Sequence, residues 1–206
     1  MRIVVDNVSK KFNRKPVFSN IGFTVEPGQV FGIIGRNGSG KSTLLKILGG
    51  LLTPSAGTVR HDLHGAPVDS EKLYAEIGYA APYLVLYEEF NATENLQLYA
   101  RIRNLRMNNH EAAELLQSVG LPADRKDPVR SYSSGMKQRM KLLFATMHRP
   151  PLLLLDEPIS NLDADGREVV RRIVADARGS RTVIIATNDD EDIALCDATV
   201  SVEAAC

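Results

Sequence analysis

Apolar and polar positions follow a strand-like spacing in the first and last parts of the chain. In residues 1 to about 60, short apolar runs typical of strands occur at 3–5, 22–25 and 30–34. The last third has further runs, separated by helical patterns, at 152–155, 182–186 and 198–202. Strands that alternate with helices along a chain pair in parallel, so this spacing predicts an α/β core.

The middle of the chain, from about residue 93 to residue 148, has a helical spacing instead. In its clearest helix the apolar residues recur every three or four positions until Gly120 ends the pattern; these residues are Ala112, Leu115, Leu116 and Val119. We therefore predict a single domain, in which residues 1–80 and 150–206 form the core and residues from about 81 to 149 form an inserted helical subdomain.

Composition and charge exclude several classes of protein. Lys and Arg number 25 and are balanced by 25 Asp and Glu, so the chain has no net field that would attract nucleic acid. The longest apolar runs, such as 152–155, are far shorter than the roughly 20 residues of a membrane-spanning helix. The N-terminus shows no signal peptide, and we expect Cys196 and Cys206 to be reduced thiols in a cytosolic protein.

One segment carries a specific chemistry, because it matches the phosphate-binding pattern G-x-x-x-x-G-K-[ST] in full between a predicted strand and a predicted helix. The segment consists of Gly35, Arg36, Asn37, Gly38, Ser39, Gly40, Lys41, Ser42 and Thr43. Its glycines allow the backbone to approach phosphates, and the N–H groups at the helix start attract anions. Lys41 is predicted to contact the β- and γ-phosphates, and the Ser42 hydroxyl to bind Mg²⁺. The sequence therefore predicts a site for a nucleoside triphosphate.

Two acids follow the apolar run at 152–155 and are predicted to lie at the tip of a buried strand. Asp156 is predicted to hold Mg²⁺ directly or through water, and Glu157 to act as the general base for the attacking water.

A third segment places small residues and hydroxyls before a helical pattern: Ser133, Ser134 and Gly135. This arrangement is typical of a simple helix cap and also of a second anion-binding helix tip.

These three segments, in this order, resemble the motifs of the nucleotide-binding subunit of ABC transporters. Residues 35–43 resemble the Walker A loop, residues 152–157 resemble Walker B, and residues 132–139 resemble the ABC signature. Residues 160–163 are similar to the D-loop, and Phe12 lies where the family places an aromatic ring on adenine. The resemblance implies an α/β fold of the P-loop NTPase type, with a mostly parallel sheet, an N-terminal antiparallel β part and an inserted helical subdomain.

The resemblance also implies a function and partners. It implies an ATPase that uses ATP and Mg²⁺ and powers a separate transmembrane permease from the cytoplasmic face of the membrane. Two subunits, either identical or of two kinds, would then dimerise head to tail, with each ATP held between one Walker A loop and the partner's signature. The short chain is also similar to the haem-exporter ATPase of cytochrome c maturation.

Three positions depart from the family pattern. Pro82 stands where the family usually has a glutamine that senses Mg²⁺ and water, and proline has no side-chain amide. Asn188 stands at the position of the switch histidine; its amide can donate to a γ-phosphate oxygen, but it is neutral and shorter than imidazole. Ser134 replaces the first signature glycine. These departures leave open an alternative function, an ATP-dependent dimerisation switch that hydrolyses slowly and regulates another process.

Two other features have alternative interpretations. His61 and His64 have a spacing that could bind a metal, but no further ligands join them, so we expect a solvent-exposed hairpin. The apolar run at 83–87 is either core or a groove that receives a helix of a membrane subunit, and the resemblance favours the groove.

Overall fold

A computed structural model describes residues 1–203 as two β-sheets with helices packed against them, and Cys206 lies outside the described residues. The strands are β1 (Arg2–Phe12), β2 (Lys15–Val25), β3 (Val30–Ile34), β4 (Ala56–Leu63), β5 (Ala66–Pro67), β6 (Ile77–Ala80), β7 (Leu152–Asp156), β8 (Thr182–Thr187) and β9 (Ala198–Ser201). The helices are α1 (Lys41–Leu48), α2 (Ser70–Leu73), α3 (Ala92–Ile102), α4 (Asn109–Ser118), α5 (Ser134–Thr146), α6 (Ala164–Ala177) and α7 (Asp190–Ile193).

The larger sheet has five parallel strands in the order β6-β7-β8-β3-β9. Strands β7 and β8 are buried along their whole length, which explains their almost uninterrupted Leu, Val and Ile sequences. Helix α1 packs on one face of the sheet, while α5 and α6 pack on the other. Because parallel strands end at the same edge, the loops after β3, β7 and β8 meet there. The predicted α/β core is confirmed.

The smaller sheet is antiparallel, in the order β2-β1-β4-β5. Its buried side chains Ile3, Val5 and Phe18 belong to the same apolar cluster as Leu44 and Leu48 of α1. The sheet therefore covers the face of α1 that points away from the parallel strands. This N-terminal antiparallel part is the one that the family resemblance implies, and β1 and β2 are longer than their apolar runs predicted.

Helices α3, α4 and α5 share an apolar cluster of their own, which includes Leu96, Leu116 and Met140. Helices α3 and α4 each begin with a capping box, in which an Asn side chain and a Glu side chain satisfy backbone N–H groups. Helix α4 ends just before Gly120, whose φ of 67° suits glycine. Among the described residues, no helix has the length and apolar character needed to cross a bilayer. The subdomain limits at about 81 and 149 stay a prediction.

The expectation of an exposed His61 is wrong. Its side chain is 7% exposed because it faces α1 from β4, where Nε2 lies 2.8 Å from the Leu48 carbonyl oxygen. Burial lowers the pKa of this imidazole, so the neutral form is favoured. The hairpin itself exists between β4 and β5, and His64 lies at its turn with a φ of 53°.

Candidate nucleotide site

The loop of residues 35–43 connects the buried strand β3 to helix α1, as predicted. Two of its glycines are required by the backbone: Gly35 has a φ of 152° and Gly40 a φ of 103°. A Cβ atom at Gly35 would lie 2.4 Å from the Val202 carbonyl oxygen, and one at Gly40 would lie 2.6 Å from Val17 Cγ1. The loop can therefore adopt this curve only with glycine at both positions.

Side chains inside the loop present hydrogen-bond donors. The Lys41 ammonium donates to the carbonyl oxygens of Gly35 at 2.8 Å and Arg36 at 3.2 Å, so it lies within the curve of the loop. The Ser39 hydroxyl is buried there and has no hydrogen-bond partner within residues 1–203. An ammonium and an unpaired hydroxyl at the start of a helix, where the first N–H groups are free to donate, fit a phosphate group.

The loop meets the tip of β7 through one hydrogen bond. Ser42, in the first turn of α1, donates from Oγ to Oδ1 of Asp156 at 3.0 Å. Asp156 is buried, and burial raises the pKa of its carboxyl group; the Ser42 hydrogen bond opposes this rise, and the charge of Glu157 adds to it. The nearby ammonium groups of Lys46 and Lys41 lower the same pKa. A hydroxyl and a carboxylate held together in this way form an oxygen donor set that suits a hard cation.

Glu157 adopts an unusual backbone conformation directly after Asp156. Its φ is 46°, in the left-handed region that side chains rarely occupy. The conformation is held by the Glu157 N–H, which donates to the Ala186 carbonyl oxygen of β8 at 2.8 Å. Strain of this kind is concentrated at functional sites. The negative charge of Glu157 contributes to the raised pKa values of both Asp156 and Asp192.

The loop after β8 exposes Asn188 to solvent, between two residues whose side chains make hydrogen bonds. Before it, the Thr187 hydroxyl donates to Oδ2 of Asp192 at 2.8 Å; after it, Asp189 caps α7 by accepting from the Glu191 N–H at 2.9 Å. Asp192 was not singled out from the sequence, yet it is fully buried, and burial above all raises its pKa to about 7. It lies in a run of four acidic residues, and nothing in that run indicates which side chain points inward.

The signature segment forms the start of α5, as predicted, and lies beside the D-loop. Ser133 caps the helix by accepting a hydrogen bond from the Met136 N–H at 3.2 Å. Gly135 faces Asn161, and a Cβ at Gly135 would lie 3.2 Å from the Asn161 carbonyl oxygen. Ser133 and Ser134 are exposed, and no hydrogen bond within residues 1–203 joins the segment 133–135 to the loop 35–43. Ser133 therefore acts as a helix cap, and the same exposed helix start can still bind an anion.

The structure brings together the side chains predicted for phosphate and metal, and it places the remaining candidates around them. Phe12 lies at the end of β1 with half of its surface exposed, and the Lys10 ammonium lies 5.0 Å from its ring centre. Sequence reasoning missed Lys46, Tyr79 and Asp192, which the parallel register and the helix α1 bring to the same edge of the sheet. The roles of the individual residues stay predictions.

Comparison with known proteins defines the family. Residues 18–160 match the family model described as ABC transporter. The chain is 31% identical over 196 residues to the linearmycin resistance ATP-binding protein LnrL of Bacillus subtilis (strain 168), covering 93% of this chain and 63% of LnrL. It is 32% identical over 203 residues to the uncharacterised ABC transporter ATP-binding protein YybJ of the same organism, covering 95% of this chain and 89% of YybJ.

Among solved structures, the dimeric ATP-binding cassette MJ0796 bound to ADP and Pi has the same fold, with a TM-score of 0.84 and 24% identity over 98% of this chain and 94% of that chain. Fold and loop together define a P-loop protein that binds nucleotide between a parallel sheet and its first crossover helix. The chain belongs to the ABC transporter family, as one of its ATP-binding subunits. The suggested similarity to the haem-exporter ATPase stays a prediction.

Proposed function

We propose that the chain binds ATP together with Mg²⁺ at the loop of residues 35–43 and hydrolyses it to power a membrane permease. The observation that carries the proposal is the 3.0 Å hydrogen bond between Ser42 and Asp156. It joins the phosphate-binding loop to the acidic strand tip. The hydrogen-bond donors for phosphate, the metal ligands and the carboxylate of Glu157 therefore share one edge of the sheet.

Ser42 and Asp156 would hold the Mg²⁺, which supplies positive charge to the phosphate oxygens when it is bound. The Lys41 ammonium exchanges its two carbonyl acceptors for β- and γ-phosphate oxygens. The backbone N–H groups of the loop and the unpaired Ser39 hydroxyl donate to the same phosphates. The exposed face of the Phe12 ring stacks on adenine.

In the hydrolytic step, Glu157 accepts the proton of the attacking water. Its strained backbone fixes the carboxylate beside the metal ligand Asp156. The Asn188 amide, exposed at the same edge, donates to a γ-phosphate oxygen. It carries no charge, so it stabilises the developing negative charge less than an imidazolium would.

The site is completed by a second subunit in this proposal. The exposed helix start of Ser133, Ser134 and Gly135 meets the γ-phosphate that the partner's loop holds, in a head-to-tail dimer of identical subunits or of two kinds. The similarly folded cassette MJ0796 is dimeric in its ADP- and Pi-bound state. Ser133 and Ser134 are exposed, and within residues 1–203 no hydrogen bond joins them to the loop of residues 35–43, which supports this arrangement.

The permease contacts the exposed apolar run at 83–87 and its neighbour Phe90. Val85 is 88% exposed and Tyr87 is half exposed, whereas Leu86 is buried, so the run is a surface anchored by one core residue. Apolar surface of this kind marks a binding site for a partner. The subunit acts at the cytoplasmic face of the membrane through this contact. The relative YybJ carries the name of an ABC transporter ATP-binding protein, which favours transport over a regulatory switch.

The test is Glu157→Gln, which keeps the size of the side chain but removes its basicity. The variant should bind ATP with the parent's affinity, lose turnover by at least about a hundredfold, and accumulate as an ATP-bound dimer in gel filtration with Mg²⁺. Asp165→Asn, which changes an exposed carboxyl on α6, is the matched control and should behave like the parent. A Glu157→Gln protein that hydrolyses ATP at the parental rate would refute the assignment of the base.

A further inference from the structure

A tight turn after β6 brings a tyrosine to the proposed metal site. Strand β6 runs parallel to β7, with Ala80 beside Leu155, so its end lies next to Asp156. The Leu84 N–H donates to the Ala81 carbonyl oxygen at 3.1 Å and closes a four-residue turn. Pro82 occupies the second position, where its fixed φ favours such a turn, and Tyr83 follows at the third.

Contacts from two elements hold the Tyr83 side chain. Its hydroxyl is hydrogen-bonded to the hydroxyl of Tyr79 in β6, and the two ring centres are 6.4 Å apart. From α1, the Lys46 ammonium lies 4.2 Å from the centre of the Tyr83 ring, a cation–π contact. Helix α1 begins with Lys41 and Ser42, so Tyr83 contacts the same helix that carries these two site residues.

Asp156 lies close enough to affect both tyrosines. Burial is the main cause of the raised pKa of Tyr79 and of Tyr83, and the negative charge of Asp156 raises both further. Lys46, above the Tyr83 ring, in turn lowers the pKa of Asp156. The two hydroxyls therefore stay protonated, and each can donate one hydrogen bond and accept others.

A packing role alone does not explain this arrangement. Tyr83 is 46% exposed, so its ring is only partly in the core, and its hydroxyl is bonded to another hydroxyl rather than to a backbone group. The Pro82 carbonyl oxygen, in the same turn, accepts from the Lys141 ammonium of α5. The turn is thus fixed between β6, α1 and α5, with one hydroxyl pair at the edge of the sheet where β7 ends in Asp156.

We propose that Tyr83 is a positioning residue for the metal at Ser42 and Asp156, and that its hydroxyl, oriented by Tyr79, hydrogen-bonds a water in the metal's coordination shell. Mg²⁺ keeps several waters when it binds proteins, and these waters need acceptors in fixed positions. Pro82 has no side-chain group to provide one, so the next residue of the turn provides it. The inference rests on the proposed metal site.

The test measures metal affinity rather than activity. The Glu157→Gln protein is saturated with ATP, which it does not turn over, and titrated with Mn²⁺ by electron paramagnetic resonance. Adding Tyr83→Phe keeps the ring over Lys46 and removes only the hydroxyl. It should weaken Mn²⁺ binding about tenfold, the lower end of the effect that loss of an outer-shell partner typically has. Tyr79→Phe should weaken it less, and ATP affinity measured in EDTA should not change.

Tyr87→Phe is the matched control, because the Tyr87 hydroxyl makes no hydrogen bond within residues 1–203; it should bind Mn²⁺ like the parent. Asp156→Asn separates this inference from the proposed function. If Asp156→Asn weakens Mn²⁺ binding and Tyr83→Phe does not, the role of Tyr83 is refuted while the metal site stands. If neither change affects Mn²⁺ binding, the metal site itself is misplaced and the inference falls with it.

Discussion

At the scale of single residues, the edge of the sheet holds a carboxyl group in surroundings that oppose its charge. Asp192 is fully buried, and its Oδ1 has no hydrogen-bond partner within residues 1–203. Burial is the main cause of its raised pKa, the Thr187 hydrogen bond opposes the rise, and the charges of Asp189, Glu191 and Glu157 add to it. The carboxyl group therefore titrates near neutral pH, four residues along the chain from the exposed Asn188.

This pKa predicts a pH-dependent stability. The folded-state pKa of about 7 lies above the unfolded value, so the folded state binds the proton more tightly between about pH 4 and pH 7. The contribution of Asp192 to stability is full below about pH 4 and is lost as the pH rises to about 7. In Asp192→Asn the amide oxygen still accepts from Thr187 and no proton is released.

The free energy of unfolding of Asp192→Asn minus that of the parent should therefore increase between pH 5 and pH 8. The upper limit is about 3 kcal/mol, because each pKa unit corresponds to about 1.4 kcal/mol. Urea denaturation of both proteins at the two pH values measures this difference. The contributions of other titrating groups are the same in both proteins and cancel. Asp190→Asn, on the exposed start of α7, is the control. An equal difference at both pH values would contradict a raised pKa for Asp192.

At the scale of elements, α5 connects the signature to the turn after β6. The helix begins beside Ser133, and two of its lysines contact the segment that precedes α3. The Lys137 ammonium lies 2.6 Å from the Glu88 carboxylate, and the Lys141 ammonium donates to the Pro82 carbonyl oxygen. Through the Lys141 contact, α5 is linked directly to the turn that carries Tyr83.

Removing the second contact should loosen that turn. Lys141→Met keeps the unbranched stem but loses the donor to Pro82, so we expect the Leu84 amide, which closes the turn, to exchange its hydrogen about five times faster. Hydrogen-exchange mass spectrometry or nuclear magnetic resonance measures the rate. Lys137→Met on the same helix face should leave the Leu84 rate unchanged, because its partner Glu88 lies outside the turn. Equal effects of the two variants would show that the Lys141 contact does not hold the turn.

The sequence predicted features well where residues of the same segment determine them, and less well where contacts with other elements determine them. The start of α5 was predictable because Ser133 is a helix cap, and the loop before α1 because its glycines and Lys41 form a known pattern. The burial of His61 was signalled by the alternation of Val59, His61 and Leu63, which share one face of β4, but polar residues between them obscured it.

The contacts of Tyr83 could not be predicted in this way. Pro82 indicates a turn, but which side chains the turn meets depends on the parallel register of β6 against β7. The position of Lys46 depends on the packing of α1 over the same strands. Both are properties of the folded sheet, and no local pattern in residues 77–84 contains them.

At the scale of the whole molecule, one chain carries two halves of different sites. Its loop presents donors for a phosphate through Lys41, and its α5 presents an exposed helix start through Ser134. The two halves make no hydrogen bond with each other within residues 1–203. A head-to-tail dimer joins each half to the complementary half of its partner, and two-fold symmetry then produces two equal sites.

This arrangement predicts complementation between two inactive variants. Lys41→Ala removes the phosphate-binding ammonium, and Ser134→Glu places a negative charge where the partner's phosphate should bind. The second change leaves the fold intact, because Ser134 is exposed and a glutamate at a helix start is favourable. Each variant alone should hydrolyse ATP at background rate. Mixed in equal amounts, they should recover about a quarter of the parental rate, because half of the dimers are mixed and each of these has one intact site.

The control separates a site shared between chains from a site within one chain. A protein that carries both substitutions, mixed with Lys41→Ala, forms no dimer with an intact site and should stay inactive. A mixture of the two single variants that is no more active than its components would contradict the shared site, provided that gel filtration shows the mixed dimer. Activity of Ser134→Glu alone at the parental rate would instead show that the start of α5 does not contact phosphate, and the head-to-tail geometry would lose its chemical basis.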